Sequence, residues 1–443
     1  MKKIILPSYL FLKKQNIFWL YFLYLIFILA SSIVFCVIYS NYYTIVDGNN
    51  NLILKNIDFG HGELIHNFYY HNHLSQKFNG IDFYLKKTLA LPLIIYMLAK
   101  ISLNFIFIIS LKNIIMYSLY FWVCYFCYKT LKKNFLIFLL LLVVPIVVPY
   151  NFQVSLNFNY EDNLIALILP IIYILLINKK SFLNYVIISF FIFFAYFCKT
   201  SMFFIVLITP ILIVLLEKKS YLKLIPSFAA ILAISIWGFY GINKTGKFPI
   251  GPSGSSFNSF VMAFSFNQDF HKYYPIYSTD LINVKKPKQN INNEWDFYTY
   301  YKKKNSIYLE NNLERFVKDF LIKLRFIFLN IHEDGSLEII SKNKIKIDNI
   351  FNKIIINSSL ITFIYFAYKF LRSGKVNFNI LQTEYLKINL YFIILFILSI
   401  FPHLIVWATS KHLVGITNVG LIYLIFKNEI IINNFFKNLT GNK

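Results

Sequence analysis

The fold is decided by the stretch IFWLYFLYLIFILASSIVFCVIY at residues 17–39, which contains no charged side chain. A helix needs about 20 mostly apolar residues to cross the hydrocarbon core of a bilayer. The stretch is also longer than the apolar core of a secretory signal, which has about 7–15 residues. It therefore predicts a first membrane-spanning helix that is not removed by processing.

The composition of the whole chain agrees with this interpretation. Of 443 residues, 58% are hydrophobic and 20% are aromatic, whereas soluble domains have about 45–50% apolar residues. The net charge of +24 arises from lysines that cluster between the apolar stretches, as at helix ends anchored to anionic headgroups. We therefore predict contact with membrane lipids and no nucleic-acid partner. The cysteine pair in CYFC at 124–127 lies in an apolar stretch and predicts helix packing.

Apolar stretches alternate with basic turns and predict an all-α polytopic membrane protein with about ten transmembrane helices. Basic loops favour the cytoplasmic side, so the lysines at both ends of the chain place both termini in the cytoplasm. The short lysine-rich loops then all fall on one face of a multi-pass protein of the cell membrane. The predicted spans are residues 17–39, 104–128, 135–150, 164–177, 183–197, 201–216, 224–241, 350–371, 388–408 and 412–428.

The apolar stretch 88–128 is about twice the length that one span requires. The lysine run KTLKK at 129–133 belongs on the cytoplasmic side, which requires an odd number of crossings after the first outer loop. We therefore predict a juxtamembrane helix at 88–101 on the outer surface, followed by one span at 104–128. The polar stretch NFQVSLNFNYEDN at 151–163 is predicted to be a short outer turn.

Three regions follow from this topology: a transmembrane core at 1–241 that includes a first outer loop at 40–103, an extracytoplasmic segment at 242–349, and C-terminal transmembrane helices at 350–443. The outer segment opens with a Gly/Pro/Ser-rich stretch that predicts irregular structure. Apolar residues then recur at helical spacing and predict an amphipathic helix on the membrane surface. These residues are Tyr308, Leu309, Leu313, Phe316, Val317, Phe320, Leu321 and Leu324.

Acidic side chains on the outer face are the first candidates for chemistry. Two acidic sites on one face can hold a divalent cation, Mg²⁺ or Mn²⁺, against a phosphate, or one carboxylate can act as a general base. The structural alternatives are solvated loop acids and, for the pair in the second outer turn, N-capping of the next helix. The candidates are Asp47 and Asp58 as catalytic acids and Glu63 for substrate binding in the first loop, with Glu161 and Asp162 in the turn.

Basic side chains on the same face complete a candidate site. Lys199 lies in CKTS, and Lys411 and His412 lie in TSKH. A cation at the level of the outer headgroups can hold a lipid-linked phosphate through charge-assisted hydrogen bonds. The alternative is a lysine that extends its ammonium to the interface. The histidines of HNFYYHNH at 66–73 fit no firm zinc-ligand spacing.

The order of features carries a resemblance. An acidic outer loop follows the first span, and a Leu-Pro helix (LALPLIIYML, 89–98) comes next. An outer turn with an acid (NYEDN, 159–163), a helix pair that meets at a lysine (FCKTS, 197–201) and the outer segment INKTGKFPIGPSGSSFN (242–258) follow in turn. This order resembles that of the C-type membrane glycosyltransferases, which use dolichyl- or undecaprenyl-phosphate sugars. The resemblance covers most of the chain and rests on order and topology.

The resemblance implies an enzyme that moves a sugar from a polyprenyl-phosphate donor to a lipid or glycan acceptor, with inversion at the anomeric carbon. The Asp-Glu or Asp-Asp pair usual in the first loop of the family is absent, because Asp47 precedes Gly and Asp58 precedes Phe. The implied site consists of a first-loop acid at Asp47 or Asp58, a second acid at Glu161 or Asp162, and phosphate-binding cations at Lys199 and Lys411, with His412 beside them.

Two other functions remain open at this point. A transporter or flippase of lipid-linked saccharides predicts interior charges or broken helices near the bilayer midplane, and the sequence offers few interior charges. A polymerase of lipid-linked saccharides would be favoured by an arginine-rich outer segment, and residues 242–349 hold only Arg315 and Arg325.

Overall fold

The computed structural model describes most of the chain. The described residues are 17–42, 46–57, 61–78, 80–85, 87–131, 135–158, 161–178, 181–217, 221–249, 251, 291–329, 342–372, 384–405, 413–429 and 431–432. Within them the protein is almost entirely helical, with one two-stranded sheet. This confirms the predicted all-α class.

Fifteen α-helices and two strands are named here in chain order. The first half contains α1 (Ile17–Tyr42), α2 (His61–His71), β1 (Gln76–Phe78), β2 (Ile81–Phe83), α3 (Ala90–Ile101), α4 (Phe105–Thr130), α5 (Phe135–Val147), α6 (Pro149–Leu156) and α7 (Asp162–Ile177). The second half contains α8 (Phe182–Cys198), α9 (Phe203–Leu216), α10 (Ile225–Thr245), α11 (Glu294–Asn311), α12 (Leu313–Leu329), α13 (Lys342–Arg372), α14 (Glu384–Ile405) and α15 (Val414–Lys427).

Five regions of the described chain are long and apolar enough to cross a membrane by length and composition. They are Ile17–Ile38, Phe105–Thr130, Tyr221–Thr245, Ile350–Lys369 and Leu386–Ile405. The pair α5 and α6 would be a sixth if the two helices form one broken span. At the other predicted spans the helices are shorter: α7 has 16 residues, about 24 Å at 1.5 Å per residue, against a hydrocarbon core of about 30 Å.

Helix α7 is the centre of the bundle. All of its residues are buried, as expected for a helix that is apolar on every side. It packs against α4, α6, α8, α14 and α15. The contact with α15 is close because Gly415 has no side chain: a Cβ there would lie 2.8 Å from Ile165 Cγ2. The first turn of α7 therefore has a fixed place at the end of a packed core.

The long apolar stretch 88–128 is divided where the sequence predicts a division. Helix α3 ends at Ile101, Ser102 is extended, and α4 begins after Asn104. The Asn104 side chain accepts a hydrogen bond from the Phe107 N–H at 3.0 Å, an N-cap that fixes the start of α4.

The outer turn predicted at 151–163 is wrong in its first part, because residues up to Leu156 are helical. Helices α5 and α6 meet at an angle of 76°. Val148 is extended and Pro149 occupies the first turn of α6, where a missing N–H costs nothing. The helix formed by the apolar run 135–150 therefore ends at Val147. The chain bends there, before it reaches the acidic pair Glu161 and Asp162.

The amphipathic helix predicted around residues 308–324 is two helices. Asn312 leaves the helical conformation, and its side-chain amide donates to the Tyr308 carbonyl at 3.1 Å. Such local side-chain bonds compete with helix continuation. In α12, Ile327 is buried, while Leu313, Val317 and Leu321 form an exposed apolar stripe.

Lysines cap the C-terminal ends of helices in a recurring way. An ammonium near exposed terminal carbonyls is stabilised by hydrogen bonds and by the helix dipole. The caps are Lys100 on Tyr69 of α2 (3.5 Å), Lys112 on Ser155 and Leu156 of α6 (3.5 and 3.4 Å), Lys223 on Val214 of α9 (2.6 Å), Lys323 on Ile405 of α14 (3.2 Å) and Lys353 on Ile327 of α12 (2.6 Å).

Candidate functional site

Charged and polar side chains from four places in the chain meet at the N-terminal end of α7. One comes from the start of α2, two precede α3, two lie at the start of α7, and one follows α8. We call this set the Glu161 cluster; its members are His61, Lys87, Thr88, Glu161, Asp162 and Lys199. Residues 61–88 thus contribute to the same site as the start of α7.

Glu161 lies at the centre of the cluster. Thr88 Oγ1 donates to Glu161 Oε1 at 2.6 Å and lies 3.2 Å from the Cys198 carbonyl oxygen. The Nε2 atom of His61 lies 3.7 Å from the same Oε1 atom. The imidazole is buried, whereas the Glu161 side chain is 15% exposed. Glu161 is therefore a held carboxylate that solvent or a substrate can reach.

Asp162 and Lys199 form a buried ion pair. Lys199 Nζ donates to Asp162 Oδ1, and both side chains are less than 10% exposed. Asp162 is the first residue of α7, where the partial positive charge of the helix end stabilises a carboxylate. Lys199 has an extended backbone between α8 and the short helix Thr200–Met202. The pair ties the start of α7 to the end of α8.

Lys87 brings a second amine to the cluster. Burial lowers the pKa of Lys87, and the nearby Lys199 lowers it further. The Glu161 and Asp162 carboxylates act in the opposite direction but do not restore the usual value. Desolvation disfavours the charged form of an amine and nearby carboxylates favour it. The two acids of the cluster thus each face an amine. The formal charges of these four groups therefore offset one another.

Two acids that precede α3, Asp47 and Glu63, have local partners. Asp47 is exposed and accepts from the N–H groups of Asn49 (2.9 Å) and Asn51 (2.8 Å), which closes a turn. Hydrogen bonds from Asn51 lower the pKa of Asp47. Glu63 accepts from the Lys77 N–H at 2.9 Å and so ties α2 to β1. In the contacts of the described residues, neither acid is joined to the Glu161 cluster.

Three sequence candidates lie outside the described residues, namely Asp58, Lys411 and His412. Of the predicted site, the structure therefore brings together Glu161, Asp162 and Lys199. Sequence reasoning assigned no role to His61, Lys87 or Thr88. The available signal was the polar Lys-Lys-Thr at 86–88 directly before the apolar α3. Among the described residues, no three His, Cys, Asp or Glu side chains are grouped as metal ligands.

Glu294 attaches the start of α11 to the residues just before α3. It is buried at the start of α11, and its Oε2 atom accepts from the Leu85 N–H at 3.3 Å. Next to it, Trp295 Nε1 donates to Thr245 Oγ1 at 2.8 Å. The Phe297 ring packs edge-on against Phe83 with centroids 5.3 Å apart. Leu85, which takes part in this attachment, lies two residues before Lys87 in the sequence.

The charge state of Glu294 gives this attachment a predicted pH dependence. Burial raises the pKa of Glu294 from 4.5 to about 7, while bonds from the Leu85 and Tyr84 N–H groups act in the opposite direction. Because the attached state binds the proton more tightly, its stability is highest below about pH 4.5 and falls as the pH rises through about 7. Glu294→Gln stays neutral, so the thermal midpoint of this variant should depend less on pH over about pH 5–8.

The control for this prediction is Glu310→Gln, an exposed acid on the same helix, which should keep the wild-type pH profile. Identical profiles for Glu294→Gln and the wild type would show that Glu294 does not take up a proton on attachment. The measurement is a thermal unfolding series of the full chain in detergent micelles.

Comparisons with known proteins give no assignment: no family model, no curated protein and no solved structure matches this chain. The function therefore has to be argued from the cluster and its surroundings.

Proposed function

We propose that the chain is a membrane glycosyltransferase of the C-type kind, which moves a sugar from a polyprenyl-phosphate donor to a lipid or glycan acceptor at the outer face of the cytoplasmic membrane. The observation that carries the proposal is the Glu161 cluster. A reachable carboxylate, held by Thr88 and close to His61, lies beside two amines. Base and phosphate-binding groups are thus present in one place.

In this proposal the donor phosphate binds at Lys87 and Lys199 through charge-assisted hydrogen bonds. Glu161 accepts the proton of the acceptor hydroxyl. The acceptor oxygen forms a bond to the anomeric carbon as the bond from that carbon to the phosphate oxygen breaks, which gives inversion. The products are the glycosylated acceptor and polyprenyl phosphate, and the proton on Glu161 passes to solvent. The helix dipole of α7 favours an anion at this position.

The proposed arrangement in the membrane has about ten spans with both termini in the cytoplasm. The exposed apolar side chains of α1, such as Phe18, Trp19 and Phe22, suit contact with lipid. Helix α3 lies at the outer surface, with Lys100 over the Tyr69 ring at 4.3 Å. The exposed stripe of α12 lies in the same interface. The Glu161 cluster then lies on the outer face, where a lipid-linked donor arrives.

A transporter of lipid-linked saccharides is the second candidate, and two features of the structure favour it. Broken helices and interior charges are typical of transporter sites, and the structure has a 76° bend between α5 and α6 and a buried Lys112 in α4. Ion sites of this kind use the carbonyls at the end of a half-helix. Here the Lys112 ammonium already occupies the carbonyls at the end of α6, which favours the transferase.

The test is lipid analysis of a strain that lacks the gene, combined with reconstitution. A transferase predicts accumulation of a polyprenyl-phosphate sugar and a glycan that lacks one residue. The purified chain in liposomes should then release polyprenyl phosphate from the accumulated lipid when the truncated glycan is supplied. Movement of the intact lipid across the bilayer without release of polyprenyl phosphate would show a transporter and refute the proposal.

A further inference from the structure

An ammonium group inside a membrane helix requires an explanation, because the hydrocarbon core strongly disfavours a buried charge. Lys112 lies in α4 and is only 1% exposed. Its Nζ donates to the carbonyls of Ser155, Leu156 and Asn157. Ser155 and Leu156 carry the last carbonyls of α6, and Asn157 is the residue that follows the helix. Within the part of the chain that the structure describes, the charge is therefore compensated by a helix end.

Two amides reinforce the same contact. Asn113, the neighbour of Lys112, donates to the Leu156 carbonyl at 3.3 Å. Asn163, in the first turn of α7, donates to the Asn157 carbonyl at 2.7 Å. Asn157 thus receives hydrogen bonds from both α4 and α7. A network of this kind, in a low-dielectric interior, specifies one geometry more strongly than its separate bonds do.

This network brackets the acidic pair. Asn157 and Asn163 lie on either side of Glu161 and Asp162 in the sequence, and their hydrogen bond closes the turn between α6 and α7. We infer that Lys112 is a positioning residue: it fixes the end of α6 and so sets where the turn presents Glu161 and Asp162 to the cluster. The inference rests on the proposed function, since it concerns the same site.

The chain offers a matched control for this role. Lys353 is also buried, and its Nζ donates to the Ile327 carbonyl at the end of α12 at 2.6 Å. It is the same type of cap, placed on a helix that holds no member of the Glu161 cluster. Variants of Lys353 therefore show the effect of losing a buried lysine cap in general. Variants of Lys112 show the effect of losing the cap next to the acidic pair.

The experiment compares the full chain with Lys112→Met, Lys112→Arg and Lys353→Met in detergent micelles and in lipid nanodiscs. The first measurement is the imidazole NMR signal of His61, identified by its absence in His61→Gln, because His61 reports on the position of Glu161. The second measurement is the affinity for undecaprenyl phosphate in nanodiscs. Thermal midpoints are recorded for all variants so that both measurements are made on folded protein.

We expect Lys112→Met to shift the His61 signal and to weaken undecaprenyl phosphate binding at least ten-fold, with partial recovery of both in Lys112→Arg. Lys353→Met should lower the thermal midpoint and change neither measurement. If Lys112→Met does not fold, Asn163→Ala removes the last link of the network and should give the same His61 shift. An unchanged His61 signal in a folded variant, or the same shift in Lys353→Met, would overturn the positioning role.

The two readouts also separate this inference from the proposed function. If wild-type protein does not bind undecaprenyl phosphate, the proposed function fails. The His61 signal still decides whether Lys112 positions the acidic turn.

Discussion

Replacing Glu161 by Gln should lower the rate of sugar transfer by at least about 100-fold, the smallest loss usual for a general base. Gln has nearly the same size as Glu. Its side-chain oxygen can still accept the hydrogen bond from the Thr88 O–H, which in the wild type spans 2.6 Å between Thr88 Oγ1 and Glu161 Oε1. The fold should therefore be retained. It cannot take the proton of the acceptor hydroxyl. The measurement is transfer by the purified chain in liposomes, with the donor that accumulates in the deletion strain.

The control for Glu161→Gln is Glu314→Gln, an exposed acid in the first turn of α12, which should transfer sugar at the wild-type rate. A fully active Glu161→Gln would remove Glu161 as the base. If Asp47→Asn were then inactive, the base would lie in the first outer loop, as the family resemblance alone implies.

Breaking the buried pair of Asp162 and Lys199 should have the largest effect on stability. Removing one partner leaves the other charge buried without its main compensation, which costs roughly 3–5 kcal/mol. Both Asp162→Asn and Lys199→Met should therefore lower the free energy of unfolding strongly. The double variant should lose less than the sum of the two, because it leaves neither charge behind. Unfolding in micelles, followed for all four proteins, gives the coupling energy.

A second ion pair, between the buried Glu217 and the partly exposed Lys387, provides the comparison. Lys387 Nζ lies 2.6 Å from Glu217 Oε2, and Tyr391 donates to the other oxygen at 3.1 Å. Glu217→Gln should also lower stability, but it should leave undecaprenyl phosphate binding unchanged, whereas Lys199→Met should weaken both. Strictly additive losses at Asp162 and Lys199 would show that the two charges do not stabilise one another.

Much of the helix pattern could be predicted because its signals are local. The predicted span 183–197 corresponds to Phe182–Cys198, which Ser181 caps through a hydrogen bond from the Asn184 N–H. The division between α3 and α4 followed from length and from the placement of lysines. The bend at Pro149 was missed because the apolar run continues through it, and hydropathy does not register a change of direction.

The site was predictable only in part, for a different reason. The sequence predicts Glu161, Asp162 and Lys199 in one site, and the structure brings these three residues together. Their partners were not predictable, since Thr88 is 73 residues from Glu161 in the sequence and reaches it only through the packing of the first outer loop. Lys112 is a charged residue inside the predicted span 104–128, which marks it as unusual. Its partners could not be predicted, because they are backbone carbonyls, which every residue has.

The lysine caps change what the formal charge of the chain means. A net charge of +24 suggests a strong attraction for any polyanion that approaches from solvent. Several of these ammonium groups, among them Lys112, Lys323 and Lys353, are buried against helix ends, where backbone dipoles already balance them. These three ammonium groups donate their hydrogen bonds inside the protein and cannot contact such a polyanion. Part of the chain's basicity therefore holds helices together.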